Sequence, residues 1–285
     1  MTPRTLALTA AAMTAFAANS LLCRAALGRG LVDAATFTSV RLVSGALVLV
    51  VLARARGATP VPRDLRASAA LFAYALGFSL AYVRIPAAFG ALLLFGAVQA
   101  TMVGRGLVSG ERPRPAEWAG LALSLGGLVA LTLPGARGGG DPAGSLLMLG
   151  AGAAWGVYSH FGRSGRAGPL AANATSFAWT VPMALLASLV SAPVSPPRVT
   201  VAGVLLAVAS GAVASGLGYA LWYAALPALR ATQAALVQLG VPPLAALGAV
   251  AFLGEAVSLR LLLAAAAVLG GIALAVTARG AKLDG

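Results

Sequence analysis

The chain has 285 residues, of which 60% are hydrophobic and 9% charged, and it carries a formal net charge of +13. A water-soluble domain carries about a quarter charged residues, so a mean hydropathy of +0.91 excludes one. The apolar runs lack the period-two alternation of barrel strands, which leaves bilayer-spanning helices. The basic residues are spread over short loops instead of clustering on one domain, which argues against nucleic acid as a partner.

Ten spans are predicted in chain order: 5–23, 34–53, 67–83, 87–107, 116–133, 144–162, 170–190, 200–223, 229–252 and 260–278. The opening stretch "MTPRTLALTAAAMTAFAANSLLC" has the look of a signal peptide. Its apolar run exceeds the usual 7–15 residues and further spans follow at once, so it reads as an uncleaved first helix carrying Asn19. The second span encloses Arg41, roughly 10 Å from its start at 1.5 Å per residue. A lipid-facing arginine costs several kcal/mol, so Arg41 is expected to face the bundle or water. There it is a contact for a substrate carboxylate or a gate on one reading, and a tie to helix-end carbonyls on the other.

The third span places Tyr74, Phe78 and Tyr82 on one stripe at i, i+4, i+8. In the fourth, Leu92, Phe95, Gln99 and Met102 share a face. After the fifth comes a Gly/Pro-rich connector, residues 134–143. The sixth span offers Trp155, Tyr158 and Ser159, with His160 close behind, and the seventh holds Trp179 and Pro182. The eighth offers Ser215, Tyr219, Trp222 and Tyr223. The ninth has Gln238 one turn before Pro242 and Pro243. These polar and aromatic groups are expected to wall an apolar cavity with a few hydrogen-bonding points, suited to a small zwitterion or amphiphile. Interfacial belts and helix packing are the plain alternative for the same residues. Pro242 and Pro243 are expected to break their helix and provide a bend.

Two stretches repeat. "GERPRPAEWAGLALSLGGLVALT" and "LGEAVSLRLLLAAAAVLGGIALAV" align Gly110-Glu111 with Gly254-Glu255 and Gly126-Gly127 with Gly270-Gly271, always 144 residues apart. Each copy holds five spans, an odd number, so the second enters the membrane inverted. The reading is therefore an all-α polytopic membrane protein with two inverted five-helix repeats, residues 1–135 and 144–285. Inverted repeats are characteristic of secondary transporters, with the substrate site at midplane between the halves. With both termini in the cytoplasm, thirteen basic residues fall on the cytoplasmic side and six on the other, as the positive-inside rule requires.

These motifs resemble the EamA domain of the drug/metabolite transporter superfamily. "TFTSVRLVSGALVL" is similar to its second helix, which places Arg41 at that domain's arginine. "GYALWYAALPALRATQAALVQLGVPPLAAL" is similar to its third and fourth helices. The first repeat departs from the pattern, with Val98-Gln99 where the second has Pro242-Pro243, so the site need not be symmetric. The resemblance is closest to the amino-acid exporters. It implies export of small metabolites, most readily Thr, Met or aromatic amino acids, across a bacterial inner membrane.

Each carboxylate, Asp33, Asp64, Glu111, Glu117, Asp141, Glu255 and Asp284, falls at a loop or helix end. Ion-coupled carriers keep an acidic group inside the membrane, so uncoupled, gradient-driven movement by alternating access is expected. Proton-coupled drug or metabolite efflux is the alternative, with His160 the one group that titrates near neutrality. A catalytic pair is not expected from one Cys and one His without an in-span carboxylate, and no cofactor or metal site is expected. Glu111 and Glu255 read as structural, each stabilising the dipole of the helix that follows it.

Overall fold

The computed structural model describes residues 2–58, 61–108, 115–132, 141–161, 168–193, 196–225, 228–229, 237–238 and 240–280. They form ten helices: α1 (Pro3–Leu27), α2 (Ala34–Ala55), α3 (Leu65–Arg84), α4 (Ala87–Val108), α5 (Pro115–Thr132), α6 (Pro142–Phe161), α7 (Pro169–Ser191), α8 (Val201–Ala225), α9 (Val241–Leu253) and α10 (Leu259–Gly280). There is no strand among the described residues beyond an isolated bridge between Val32 and Val199. Five helices, α1, α2, α3, α7 and α8, are long and apolar enough to cross a bilayer. Their outward residues, such as Leu47, Val51, Leu186, Leu189 and Leu205, are exposed and apolar.

Helix starts follow from short polar side chains that accept from otherwise orphaned N–H groups. Asp33 accepts from Thr36 N at 2.9 Å, Asp64 from Ala67 N at 3.1 Å and Asp141 from Gly144 N at 2.8 Å. Thr200 accepts from Gly203 N and Ser258 from Leu261 N, both at 3.1 Å. Most carboxylates therefore sit at helix ends because that is where an anion meets unpaired donors and the positive end of the dipole.

Packing is between α2 and α7, α3 and α6, α1 and α8, and α5 and α10, with α4 against α6 and α9. Small residues set the close crossings, as expected where lipid supplies no hydrophobic drive between helices. A methyl group at Gly152 of α6 would stand 2.6 Å from the Leu94 carbonyl oxygen and 2.7 Å from Ala97 Cβ of α4. At Gly211 of α8 it would collide with the Arg41 carbonyl and the Ser44 hydroxyl of α2.

Two predicted elements differ in detail. The eighth span is one continuous helix with a π-helical segment, Ala209–Leu217, at its centre. The wider turn accommodates the "SGAVASG" run where α8 meets α2. The ninth, expected as one span over 229–252, is described as α9 from Val241, after a turn in which Gly240 N donates to Val237 O at 3.0 Å. Pro242 and Pro243 therefore lie in the first turn of α9, where the missing N–H leaves no bond unmade. Pro182, by contrast, lies inside α7, which continues through it.

Candidate functional site

Helices α1, α3, α4, α6 and α8 enclose a cavity lined by Phe16, Asn19, Ser20, Tyr74, Phe78, Leu94, Phe95, Trp155, Ala214, Ser215 and Tyr219. The free space at its centre is 20 Å³, room for roughly one water. The side chains close on one another, so a larger solute enters only as they move apart.

The wall is a continuous aromatic cluster. Trp155 stacks on Tyr74 at 5.6 Å between ring centroids and meets Phe95 edge-on at 5.5 Å and Phe16 at 6.1 Å. Phe16 also packs against Tyr219 at 5.5 Å and Trp222 at 6.4 Å. Phe78 joins Tyr74 to Tyr82, with centroids 5.4 and 4.7 Å apart. Such offset and edge-on pairs hold rings rigidly while keeping their apolar surface toward the space between them.

Polar groups enter from α1, α2 and α8. Ser210 Oγ donates to Asn19 Oδ1 at 2.6 Å, joining α8 to α1 beside the cavity. Arg41, 2% exposed, donates from Nη2 to Tyr74 Oη at 3.0 Å and from Nε to Ser215 Oγ at 3.4 Å. Its guanidinium carbon lies 5.3 Å from the Tyr74 ring centre and 4.9 Å from that of Phe78. Both of these acceptors are side-chain hydroxyls.

Of the residues singled out from sequence, Asn19, Tyr74, Phe78, Phe95, Trp155, Ser215 and Tyr219 line this cavity. Trp222 and Tyr223 stand behind it, Tyr223 stacked on Tyr219 at 6.4 Å. Tyr82 lies at the end of the α3 stripe, where its hydroxyl donates to Ala87 O at 3.3 Å. Tyr158 donates to Asn173 Oδ1 and Ser159 to Trp155 O, so both are committed within the bundle. Gln99 and Gln238 are half-buried and outside the lining, and Pro242 is buried while Pro243 is exposed. The side chains of Met102 and His160, and all of Glu111, lie outside the described residues.

Phe16, Ser20, Leu94 and Ala214 complete the lining without having been singled out. Phe16, Asn19, Ser20 and Cys23 are all buried on one face of α1. That spacing was legible, but an alanine-rich helix offers no polar contrast around it.

One end of the bundle is tied shut. Glu255, in the loop between α9 and α10, accepts from Ala87 N at 2.8 Å (Oε1) and 2.9 Å (Oε2), and its carboxylate lies 3.6 Å from Arg24 Nε. Arg24 also donates to Tyr82 O at 2.9 Å. Glu255 thus caps α4, not the following helix as expected; Ser258 caps α10 instead. Beside this cluster Arg84 pairs with Asp141 at 3.3 Å, and Asp33 accepts from Arg198 N at 3.1 Å.

Residues 142–277 match the EamA-like transporter family. The chain is 53% identical to a Pseudomonas aeruginosa protein called Uncharacterized protein PA1977, over 97% of this chain and 96% of that one. A solved crystal structure shares 25% identity and superposes with a TM-score of 0.67, covering 97% of this chain and 99% of its own. The chain belongs to the EamA-like transporter family, within the drug/metabolite transporter superfamily. It is a multi-pass membrane protein that transports small molecules.

Proposed function

We propose that this protein exports amino acids, such as Thr, Met or aromatic ones, by uncoupled alternating access. The observation that carries the reading is the lining itself: eight of its eleven residues are apolar or aromatic, two of these being tyrosines, and none is acidic. Rings grip an apolar side chain, while Asn19, Ser20, Tyr74 and Ser215 supply donors and acceptors for a zwitterion's backbone. A lipophilic cation would find no carboxylate in this lining to replace its hydration, and a coupled proton would find no acid to ride on.

Ten spans in two inverted repeats, residues 1–135 and 144–285 joined by 134–143, are the scaffold for this cycle. The crossing of α5 with α10 supports them. A methyl group at Gly127 would stand 3.2 Å from the Ala264 carbonyl oxygen, and one at Gly271 would meet the Gly120 carbonyl. Gly127 and Gly271 are 144 residues apart, as are Gly120 and Ala264, so the two contacts are related as a two-fold relation between the halves requires. The protein works in a bacterial inner membrane with both termini cytoplasmic, and the charge asymmetry of its loops supports that orientation. The Glu255–Arg24 cluster then closes the outer end, so alternation requires that cluster to part.

The test is counterflow of labelled methionine, threonine or phenylalanine into liposomes preloaded with the same amino acid, with and without a pH gradient. Saturable exchange indifferent to the gradient is expected. Exchange driven by the gradient overturns the uncoupled mechanism, and absence of exchange for all three overturns the substrate class.

A further inference from the structure

Arg41 is a buried cation without a matching anion among the described residues. Among carboxylates whose side chains are described, Asp33, Asp64, Asp141 and Glu255 each serve a helix N-terminus at the bundle's ends. The two hydroxyls and two ring faces around Arg41 are neutral. An arginine carries five N–H donors, and its Nη1, fully buried, has no hydrogen-bond partner among the described residues. Nη2 is engaged by one acceptor, Tyr74 Oη, which leaves its second hydrogen. The end of the guanidinium, one hydrogen on each terminal nitrogen, is the fork that pairs with a carboxylate through two parallel bonds.

A buried charge that is uncompensated and partly unbonded is costly. Cation–π contact with Tyr74 and Phe78 offsets part of that cost but does not satisfy Nη1. The residues that touch the guanidinium, Tyr74, Phe78 and Ser215, are also lining residues of the cavity. An anion entering that space meets the cation once those side chains shift, and the hydroxyls of Tyr74 and Ser215 are then free to donate to it as well.

We propose that Arg41, with Tyr74 and Ser215, forms an anion subsite that receives the carboxylate of the transported solute. The inference rests on the amino-acid reading above and deepens it: the carboxylate, not the amino group, is the recognised element. The protein therefore carries carboxylate-bearing solutes and rejects amines of the same shape.

Three competitors of labelled-methionine counterflow into liposomes by the unaltered protein separate the groups. Methionine keeps both charges, 4-methylthiobutyrate keeps the carboxylate alone, and methioninol keeps the amine alone. Methioninol is expected to compete at least about tenfold more weakly than 4-methylthiobutyrate, the scale of a charged hydrogen-bonded pair. Equal competition by the two, or stronger competition by methioninol, overturns the subsite.

Thermal melting of the detergent-solubilised protein supplies a second readout that needs no amino-acid transport. 4-Methylthiobutyrate is expected to raise the melting midpoint of the unaltered protein, and Arg41→Gln to abolish that rise, with Arg41→Lys retaining part of it. Where Arg41→Gln fails to fold, Tyr74→Phe and Ser215→Ala replace it and are each expected to reduce the rise. A rise with no exchange of methionine, threonine or phenylalanine overturns the amino-acid reading but keeps the subsite. No rise in the unaltered protein, or an equal rise in all variants, overturns the subsite while leaving any methionine exchange to stand.

Discussion

The crossing of α5 with α10 and the layer around Arg41 are built on opposite principles. At the first, glycines bring two helices together and Ser124 Oγ donates to Val268 O at 3.1 Å. At the second, bulky rings surround a cation that keeps an unpaired nitrogen, around a narrow space. The GG repeat that is loudest in the sequence thus marks a scaffold seam, whereas the cavity is built from residues that do not repeat. Repetition tells where the halves lock; departure from it tells where they differ in work.

The strongest way to break the contrast is Gly211→Leu. Gly211 abuts the Arg41 backbone itself, so a side chain there drives α8 off α2 at a cost on the order of 3 kcal/mol. Loss of monodisperse protein on size-exclusion chromatography is the expected result, and a well-folded variant would refute the close crossing. Gly271→Ala perturbs the other region, where Gly120 and Ser124 stand in the way. A destabilisation of roughly 1–3 kcal/mol should lower the melting midpoint while leaving methionine affinity within about twofold, if the seam is separate from the site.

Trp155→Ala reverses that pattern. Removing the ring that links Tyr74, Phe95 and Phe16 should reduce counterflow at least about tenfold, equivalent to 1.4 kcal/mol or more, and Trp155→Phe should retain part of the activity. Counterflow unchanged in Trp155→Ala would move the site away from this cluster. The smallest change is Ser124→Ala, expected to cost about 0.6 kcal/mol by denaturation in detergent, with transport unaffected.

Legibility followed from the kind of signal each feature leaves. Helix positions were readable because a bilayer demands long apolar runs, and most boundaries agreed within a few residues; α1 ran on to Leu27 because Arg24 turns its charge to carbonyls at the end of α3. Seven of the lining residues stood out as aromatics, an amide or a serine in apolar helices. Phe16, Ser20, Leu94 and Ala214 did not, since a cavity is made by several helices at once and small residues matter only for what faces them. Glu255 was readable as a helix cap, but the helix it caps is 168 positions away in the chain.

By itself the sequence determined the membrane class, the helical architecture, the resemblance to its family and the burial of Arg41. Hydropathy and charge act through local composition and need no partner to be read. Only the tertiary structure decided that Arg41 meets Tyr74, Phe78 and Ser215, that Glu255 closes α4 against Arg24, and which rings enclose the cavity. Those outcomes depend on distances between helices remote in sequence, which close packing sets and which no single helix encodes.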